Sequence, residues 1–240
     1  MVYLNIILNM ETESLNQKPY LITTIIQAAS VWIISDIGYY IFLPILGYGA
    51  GYNTTPLPIT LYYLFWTLIA IFAFKDQIRD RKIISNKGEA LALFTGGTFL
   101  VVLFFTYVIP TLKAITWTAT LLPPSEILSA TSWYFLPKSI DIFLQQILLL
   151  TIVTAFTDYK YSLRTTSFWC AGLFGGAHLL LVLGGGGFIY VSVFTVVAVV
   201  ASFIFPYLLL EVKNGIVYSY FLHWFFYAAV IILTRLVFGV

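Results

Sequence analysis

The sequence predicts an all-α membrane protein, a single domain built as a bundle of about seven transmembrane helices. Three observations support this prediction: 60% of the 240 residues are hydrophobic, only 9% are charged, and the mean hydropathy is +0.95. Water-soluble domains carry about 25% charged residues, so the chain lies far outside their range. A membrane-spanning helix needs about 20 apolar residues, and seven such stretches follow one another along the chain.

The predicted spans cover residues 20–46, 57–74, 89–111, 139–157, 166–184, 187–210 and 214–238. The apolar stretch 115–122 is too short to cross and ends at Pro123-Pro124, which predicts a partial helix at the membrane interface. The four glycines at 184–187 predict a tight turn between two spans, and Pro44 and Pro206 are expected to kink their helices.

The distribution of lysine and arginine predicts the orientation. With the N-terminus in the cytoplasm, nine of the 12 basic residues lie on the cytoplasmic side and three lie outside: Lys113, Lys138 and Arg235. Because cytoplasmic loops are enriched in Lys and Arg, this count predicts a cytoplasmic N-terminus and an external C-terminus.

Composition also excludes several kinds of function. A net charge of +2, spread thinly over the chain, provides no surface for nucleic acid. The single cysteine, Cys170, rules out an intrachain disulfide and a cysteine-rich zinc site, and its position in an apolar segment favours a packing role. No cofactor and no metal site is predicted, whereas membrane lipids are necessary partners.

Polar residues inside the apolar spans are the candidates for function, because each is costly in hydrocarbon unless it has a partner. In the second half of the chain they come in the order Asp141, Gln145, Gln146, Asp158, His178, Glu211, His223 and Tyr227. Asp141 and Gln145 are one helical turn apart and project to one side of span four. Each residue alone could be a hydrogen bond between helices, but the set predicts a shared cavity enclosed by spans four, five and seven. Asp36, in span one, is a further carboxylate whose role is open between a proton relay, a substrate contact and a structural acid.

Three motifs give this cavity a specific resemblance. Phe174-Gly175-Gly176-Ala177-His178 is a complete F-x-x-x-H motif, and His223 begins an H-x-x-x-N motif whose last position holds Tyr227. With a third motif on span four, these resemble the CAAX-protease and bacteriocin-processing family of intramembrane peptidases, over residues 139–236. The resemblance implies that this region is the catalytic core.

The motif on span four, which comes first in the order of that family's motifs, is E-E-x-x-x-R, and it aligns with Gln145, Gln146 and Leu150. The family resemblance implies that a glutamate of this motif and His178 would hold and deprotonate a water molecule, while His223 and the residue at position 227 would stabilise the oxyanion. A glutamine has no useful basicity, so the sequence departs from the family where the general base is required.

Three functions are therefore left open. The first is a family-like protein with weakened or lost peptidase activity, whose cavity still binds a hydrophobic or lipidated peptide or a membrane protein partner. The second is an active intramembrane endopeptidase with a divergent base, such as Asp141 or His178. The third is a small-solute or proton transporter that uses the histidines as a relay.

Overall fold

The computed structural model describes residues 2–47, 51–79, 84–113, 126–127, 129–184 and 187–238. Within these ranges the chain is helical without strands, and seven helices are long and apolar enough to cross a membrane, which confirms the predicted fold class and number of spans. The spans are α1 (Tyr20–Ile45), α2 (Pro56–Ala73), α3 (Lys87–Thr111), α4 (Phe135–Asp158), α5 (Leu163–Leu183), α6 (Tyr190–Glu211) and α7 (Gly215–Leu236).

Several helices extend beyond or change form within these spans. The helix of α1 begins at Val2, that of α6 at Phe188, and that of α7 ends at Phe238. A short helix, Lys75–Arg79, follows α2. The predicted interfacial helix at 115–122 and the centre of the predicted glycine turn lie outside the described residues.

Two π-helical turns each lie just before a proline. Gly38–Phe42 in α1 precedes Pro44, and Phe104–Val108 in α3 precedes Pro110. Proline has no amide hydrogen and its ring clashes with the carbonyl four residues earlier. A π turn inserts one extra residue at that point and accommodates the ring without ending the span.

Helix α4 is the centre of the bundle. In its most apolar 18-residue window 83% of the residues are buried, against 11% in α3, and it packs against α1, α2, α5, α6 and α7. Because other helices surround it, its polar side chains face protein rather than lipid, as intramembrane polar groups require. Helix α3 lies at the edge of the bundle, where it packs against α7.

The structure corrects the predicted start of span four. The helix begins at Phe135, not at residue 139, so Lys138 lies in its first turn and is only 8% exposed. A lysine can be buried there because its ammonium group reaches Asp141 one turn later, at 2.7 Å. Lys138 is therefore not an external loop charge.

Two glycines, one in α3 and one in α5, allow close contacts between helices. Gly97 lies under the ring of Phe221, and Gly175 packs against Val199 of α6, so a β-carbon at either position would collide with its neighbour. Small residues of this kind let membrane helices approach closely. Gly96, Gly172 and Gly176 have open space instead and make no such contact.

Polar side chains fasten the helix ends at both faces of the bundle. On the face where α2 ends, Asn214 adopts a left-handed backbone conformation (φ 57°), and its Oδ1 accepts hydrogen bonds from the amides of Ser85 and Asn86 at 3.0 and 3.2 Å. On the opposite face, Arg235 donates to the carbonyls of Ile109 and Ala130. These bonds tie the ends of α7 to the connections that flank α3.

Candidate functional site

The five predicted site residues lie in two adjoining clusters on α4, α5 and α7. Gln146 and His223 form one cluster, Gln145 and His178 belong to the other, and Tyr227 touches both. Phe174 lies between them, with ring centroids 4.9 Å from His178 and 5.9 Å from His223. The catalytic roles suggested for these residues remain predictions.

Gln146 is fully buried and holds His223. Its Oε1 accepts a hydrogen bond from the Ser219 hydroxyl at 2.7 Å, which leaves its Nε2 facing Nδ1 of His223 at 3.3 Å. An amide NH₂ group can only donate, so Nδ1 is the acceptor and the ring proton is on Nε2. Gln146 thus links α4 to α7 through hydrogen bonds between the two helices.

His178 has the opposite arrangement. Its Nδ1 lies 2.8 Å from the carbonyl oxygen of Phe174, and a carbonyl can only accept, so Nδ1 carries the proton and Nε2 has a free lone pair. Phe174 lies in a π turn, Ala171–Gly175, and a 3₁₀ helix starts shortly afterwards at His178. The turn rotates His178 away from the register of an ordinary α-helix.

A buried ion pair organises the second cluster. The ammonium of Lys138 donates to Oδ2 of Asp141 at 2.7 Å, and the hydroxyl of Tyr52 donates to the same oxygen at 2.9 Å. Gln145 donates through Nε2 to Oδ1 of Asp141 at 2.9 Å. Three hydrogen bonds thus engage both oxygens of the carboxylate, and Asp141 is not available as a free base.

Aromatic rings surround the ammonium group of Lys138. It lies 4.3 Å from the ring centroid of Tyr227 and 5.3 Å from that of Tyr52, within the range of cation–π attraction. The Tyr227 ring also stacks on His223, with centroids 5.3 Å apart and planes 14° apart. Tyr227 therefore joins the two clusters through its ring faces.

Three hollows adjoin these clusters. The smallest, which we call the chamber, has a volume of about 40 Å³. It is lined by Trp32, Asp36, Tyr40, Tyr52, Tyr63, Lys138, Asp141, Gln145, Ala177, His178, Leu181 and Tyr227. Helices α4, α5 and α7, which were predicted to enclose a polar cavity, provide seven of these twelve residues, and α1, α2 and the 51–55 connection provide the other five.

The second hollow, the vestibule, is larger and shares five lining residues with the chamber. Its volume is about 300 Å³, and six tyrosines line it together with Glu126 and Lys138. The tyrosines are Tyr39, Tyr40, Tyr52, Tyr134, Tyr190 and Tyr227.

The third hollow, the apolar groove, lies between α5, α6 and α7 on the other side of Phe174. It has a volume of about 200 Å³ and an almost wholly hydrocarbon wall that includes Phe194, Ala201 and Phe205, with His178 and His223 at its inner end. Val200 and Phe225, at its rim, are exposed on the lipid-facing surface of the bundle. The groove therefore connects the two histidines with the membrane interior.

Glu126 fastens the connection between α1 and α2 over the vestibule. Its Oε2 accepts hydrogen bonds at 2.8 Å from both the Tyr39 hydroxyl and the Tyr52 amide, and its backbone carbonyl accepts one from Asn53. Burial raises the pKa of Glu126 above its ordinary value, although the two hydrogen bonds and the nearby Lys138 oppose this shift.

A carboxyl group with a raised pKa stabilises the fold in its protonated form, and this contribution is lost as the pH rises through that pKa. We therefore expect Glu126→Gln, which keeps an acceptor oxygen without the charge, to become more stable relative to the unaltered protein as the pH rises from acidic to neutral. Thermal unfolding in detergent at a series of pH values measures the difference. Glu211→Gln, at an exposed position, is the control and should show no such trend; a constant difference for Glu126→Gln would contradict the expectation.

Sequence reasoning missed Lys138, Tyr52, Tyr63 and Glu126 as parts of the site. The spacing of Lys138 and Asp141, three residues apart on one helix, was a usable signal for an ion pair. The other three residues come from separate parts of the chain, and only the fold brings them together. Within the described ranges, no group of three or more His, Cys, Asp or Glu residues converges as a metal site.

No family model, curated protein or solved structure matches this chain. The function has to be argued from the site itself.

Proposed function

We propose that this integral membrane protein is related in design to the CAAX-type intramembrane peptidases, has lost or nearly lost peptidase chemistry, and binds a hydrophobic or lipidated peptide segment in the apolar groove. The main support is Gln146, which stands where the resemblance places a glutamate. Both ends of its amide are engaged, by Ser219 and by His223, in a fully buried position. The residue acts as a structural link between α4 and α7.

The other acidic groups support the same proposal. Asp141 is held by Lys138, Tyr52 and Gln145, so it does not replace the missing base. Loss of a general base costs about 10² to 10⁴ in rate. An active endopeptidase with a divergent base remains the alternative.

The groove supports the choice of ligand. A hydrocarbon-lined hollow that opens to lipid and ends at two histidines fits an isoprenoid or acyl chain in the groove, with its attached peptide near His178 and His223. The groove wall carries no lysine, arginine or carboxyl group.

Binding is tested with the purified protein in lipid nanodiscs and fluorescent peptides, farnesylated and unmodified. We expect the farnesylated peptide to bind more tightly. Ala201→Phe, which fills part of the groove, should weaken binding about tenfold, the effect of excluding roughly two methylene groups. Ala73→Phe, on the exposed surface of α2, is the matched control. Equal binding of both peptides, or no effect of Ala201→Phe, would refute the groove as the site.

Cleavage is tested on the same peptides by mass spectrometry. We expect no more product from the unaltered protein than from His178→Ala. We expect hydrolysis to appear only when Gln145→Glu and Gln146→Glu are introduced together. Robust cleavage by the unaltered protein, abolished in His178→Ala, would establish the alternative of an active endopeptidase.

We also propose that the N-terminus is cytoplasmic. Lys138 and Arg235 are both buried and hydrogen-bonded inside the protein, so they are not loop charges. Removing them from the count leaves nine basic residues on one face and one, Lys113, on the other. Labelling of single introduced cysteines from each side of the membrane, in a Cys170→Ala background, tests the orientation.

A further inference from the structure

Asp36 is an intramembrane carboxylate without a hydrogen bond or ion pair among the described residues. It lies on α1, partly buried, and lines the chamber beside Asp141 and Lys138. The ammonium of Lys138 is engaged by Asp141 at 2.7 Å. A carboxylate in such a place is costly unless something pairs with it.

A second acceptor in the chamber also lacks a donor. Gln145 turns its Nε2 toward Asp141 at 2.9 Å, which fixes the direction of its amide, and its buried Oε1 has no hydrogen-bond partner among the described residues. His178, with its proton on Nδ1, adds the lone pair of Nε2 to the wall of the same chamber. Asp36, Gln145 Oε1 and His178 Nε2 are all acceptors, and a ligand that donates hydrogen bonds would satisfy them.

The charges around the chamber and vestibule favour a cationic donor. Three carboxyl groups, those of Asp36, Glu126 and Asp141, face these two hollows, against the single ammonium of Lys138. Within the ranges that the structure describes, no arginine and no other lysine lines either hollow.

The tyrosines add a means of recognising an ammonium group. Lys138 shows that ring faces in this cluster accept one, since its Nζ lies 4.3 Å from Tyr227 and 5.3 Å from Tyr52. Tyr40 lines both hollows and connects the vestibule to Asp36. Tyrosine faces combined with a carboxylate are a common way to bind organic cations.

We infer that the chamber and vestibule together form a binding site for a small organic amine. Its protonated ammonium group lies in the chamber against Asp36, within reach of Gln145 Oε1 and His178 Nε2, and its carbon body occupies the tyrosine-lined vestibule. The vestibule, at about 300 Å³, has the size of the smaller ligand pockets in proteins. The site adjoins the apolar groove along His178 and Phe194, but it is built around Asp36 and Gln145, which do not line the groove, so the inference does not rest on the proposed peptide-binding function.

The test uses two probes of equal shape, 2-phenylethylamine and the uncharged 2-phenylethanol, with the full-length protein in nanodiscs. Isothermal titration and thermal unfolding are measured at constant ionic strength. We expect the amine to bind and to raise the melting temperature, and the alcohol to bind at least tenfold more weakly. Asp36→Asn should lower the affinity for the amine at least tenfold, whereas Asp76→Asn, an exposed aspartate outside the site, should leave it unchanged.

A second pair of variants keeps the inference testable if Asp36→Asn does not fold. Tyr40→Phe retains the ring face and should retain amine binding, whereas Tyr40→Leu removes the face and should weaken it. Any of three results would overturn the inference. The first is equal binding of amine and alcohol, and the second is the same stabilisation by sodium chloride as by the amine. The third is amine binding that neither Asp36→Asn nor Tyr40→Leu weakens.

Discussion

Lys138→Met is expected to destabilise the protein by about 3–5 kcal/mol, the cost of leaving one partner of a buried ion pair uncompensated. Asp141 would keep its hydrogen bonds from Tyr52 and Gln145 but would lose the positive charge that is paired with it at 2.7 Å. Unfolding of the purified protein, followed by circular dichroism in mixed micelles of mild detergent and SDS, measures the change.

Two further variants separate charge from packing. Adding Asp141→Asn to Lys138→Met removes the unpaired charge and should recover most of the lost stability. Lys213→Met breaks an exposed ion pair with Glu89, 57% and 36% accessible, and should cost no more than about 1 kcal/mol. A loss in Lys138→Met as small as that of Lys213→Met would show that the buried pair does not stabilise the bundle.

Phe174→Ala is expected to have the second largest effect. Phe174 is 1% exposed and contacts Trp32, Phe205 and both histidines, with ring centroids 4.9–5.9 Å apart. Such a truncation costs about 3–5 kcal/mol in water-soluble cores. We expect about 3 kcal/mol, because in a membrane the unfolded side chain stays in hydrocarbon and only the packing and cavity contributions are lost.

The same substitution also enlarges the apolar groove, because Phe174 is part of its wall. The affinity for farnesylated peptide should then differ from that of the unaltered protein. Phe72→Ala, at a lipid-exposed position of α2, should change neither the stability nor this affinity. Equal stability losses in Phe174→Ala and Phe72→Ala would contradict this account.

The spans could be predicted because hydropathy over about 20 residues is a local property of the sequence. All seven predicted stretches correspond to helices, with ends displaced by a few residues. The most informative difference is at the start of span four, where Lys138 lies inside the helix. A charged residue is interpreted as the end of a span unless its partner is known. That partner, Asp141, was recognised as polar but not connected to it.

The site could be predicted only in part. His178, His223 and the glutamine pair stood out because polar residues are rare in hydrocarbon, and they do lie close together. Their hydrogen-bond partners could not be predicted, because Ser219 and Tyr52 look unremarkable in sequence and acquire their roles through packing of α4 against α7 and against the 51–55 connection. Asp36 was visible from the start, but its neighbours became known only from the fold.

The crowding of polar groups at the beginning of α4 also bears on how the protein enters the membrane. Lys138, Asp141, Gln145 and Gln146 lie within the first half of this 24-residue helix, and polar and charged residues are costly in an inserting helix unless they have partners. The residues that Asp141 and Lys138 meet in the finished bundle include Tyr52 and the walls of α1 and α2, all made earlier in synthesis. Because α1, α2 and the connection between them precede α4 in the chain, polar partners for α4 are synthesised before α4 leaves the ribosome.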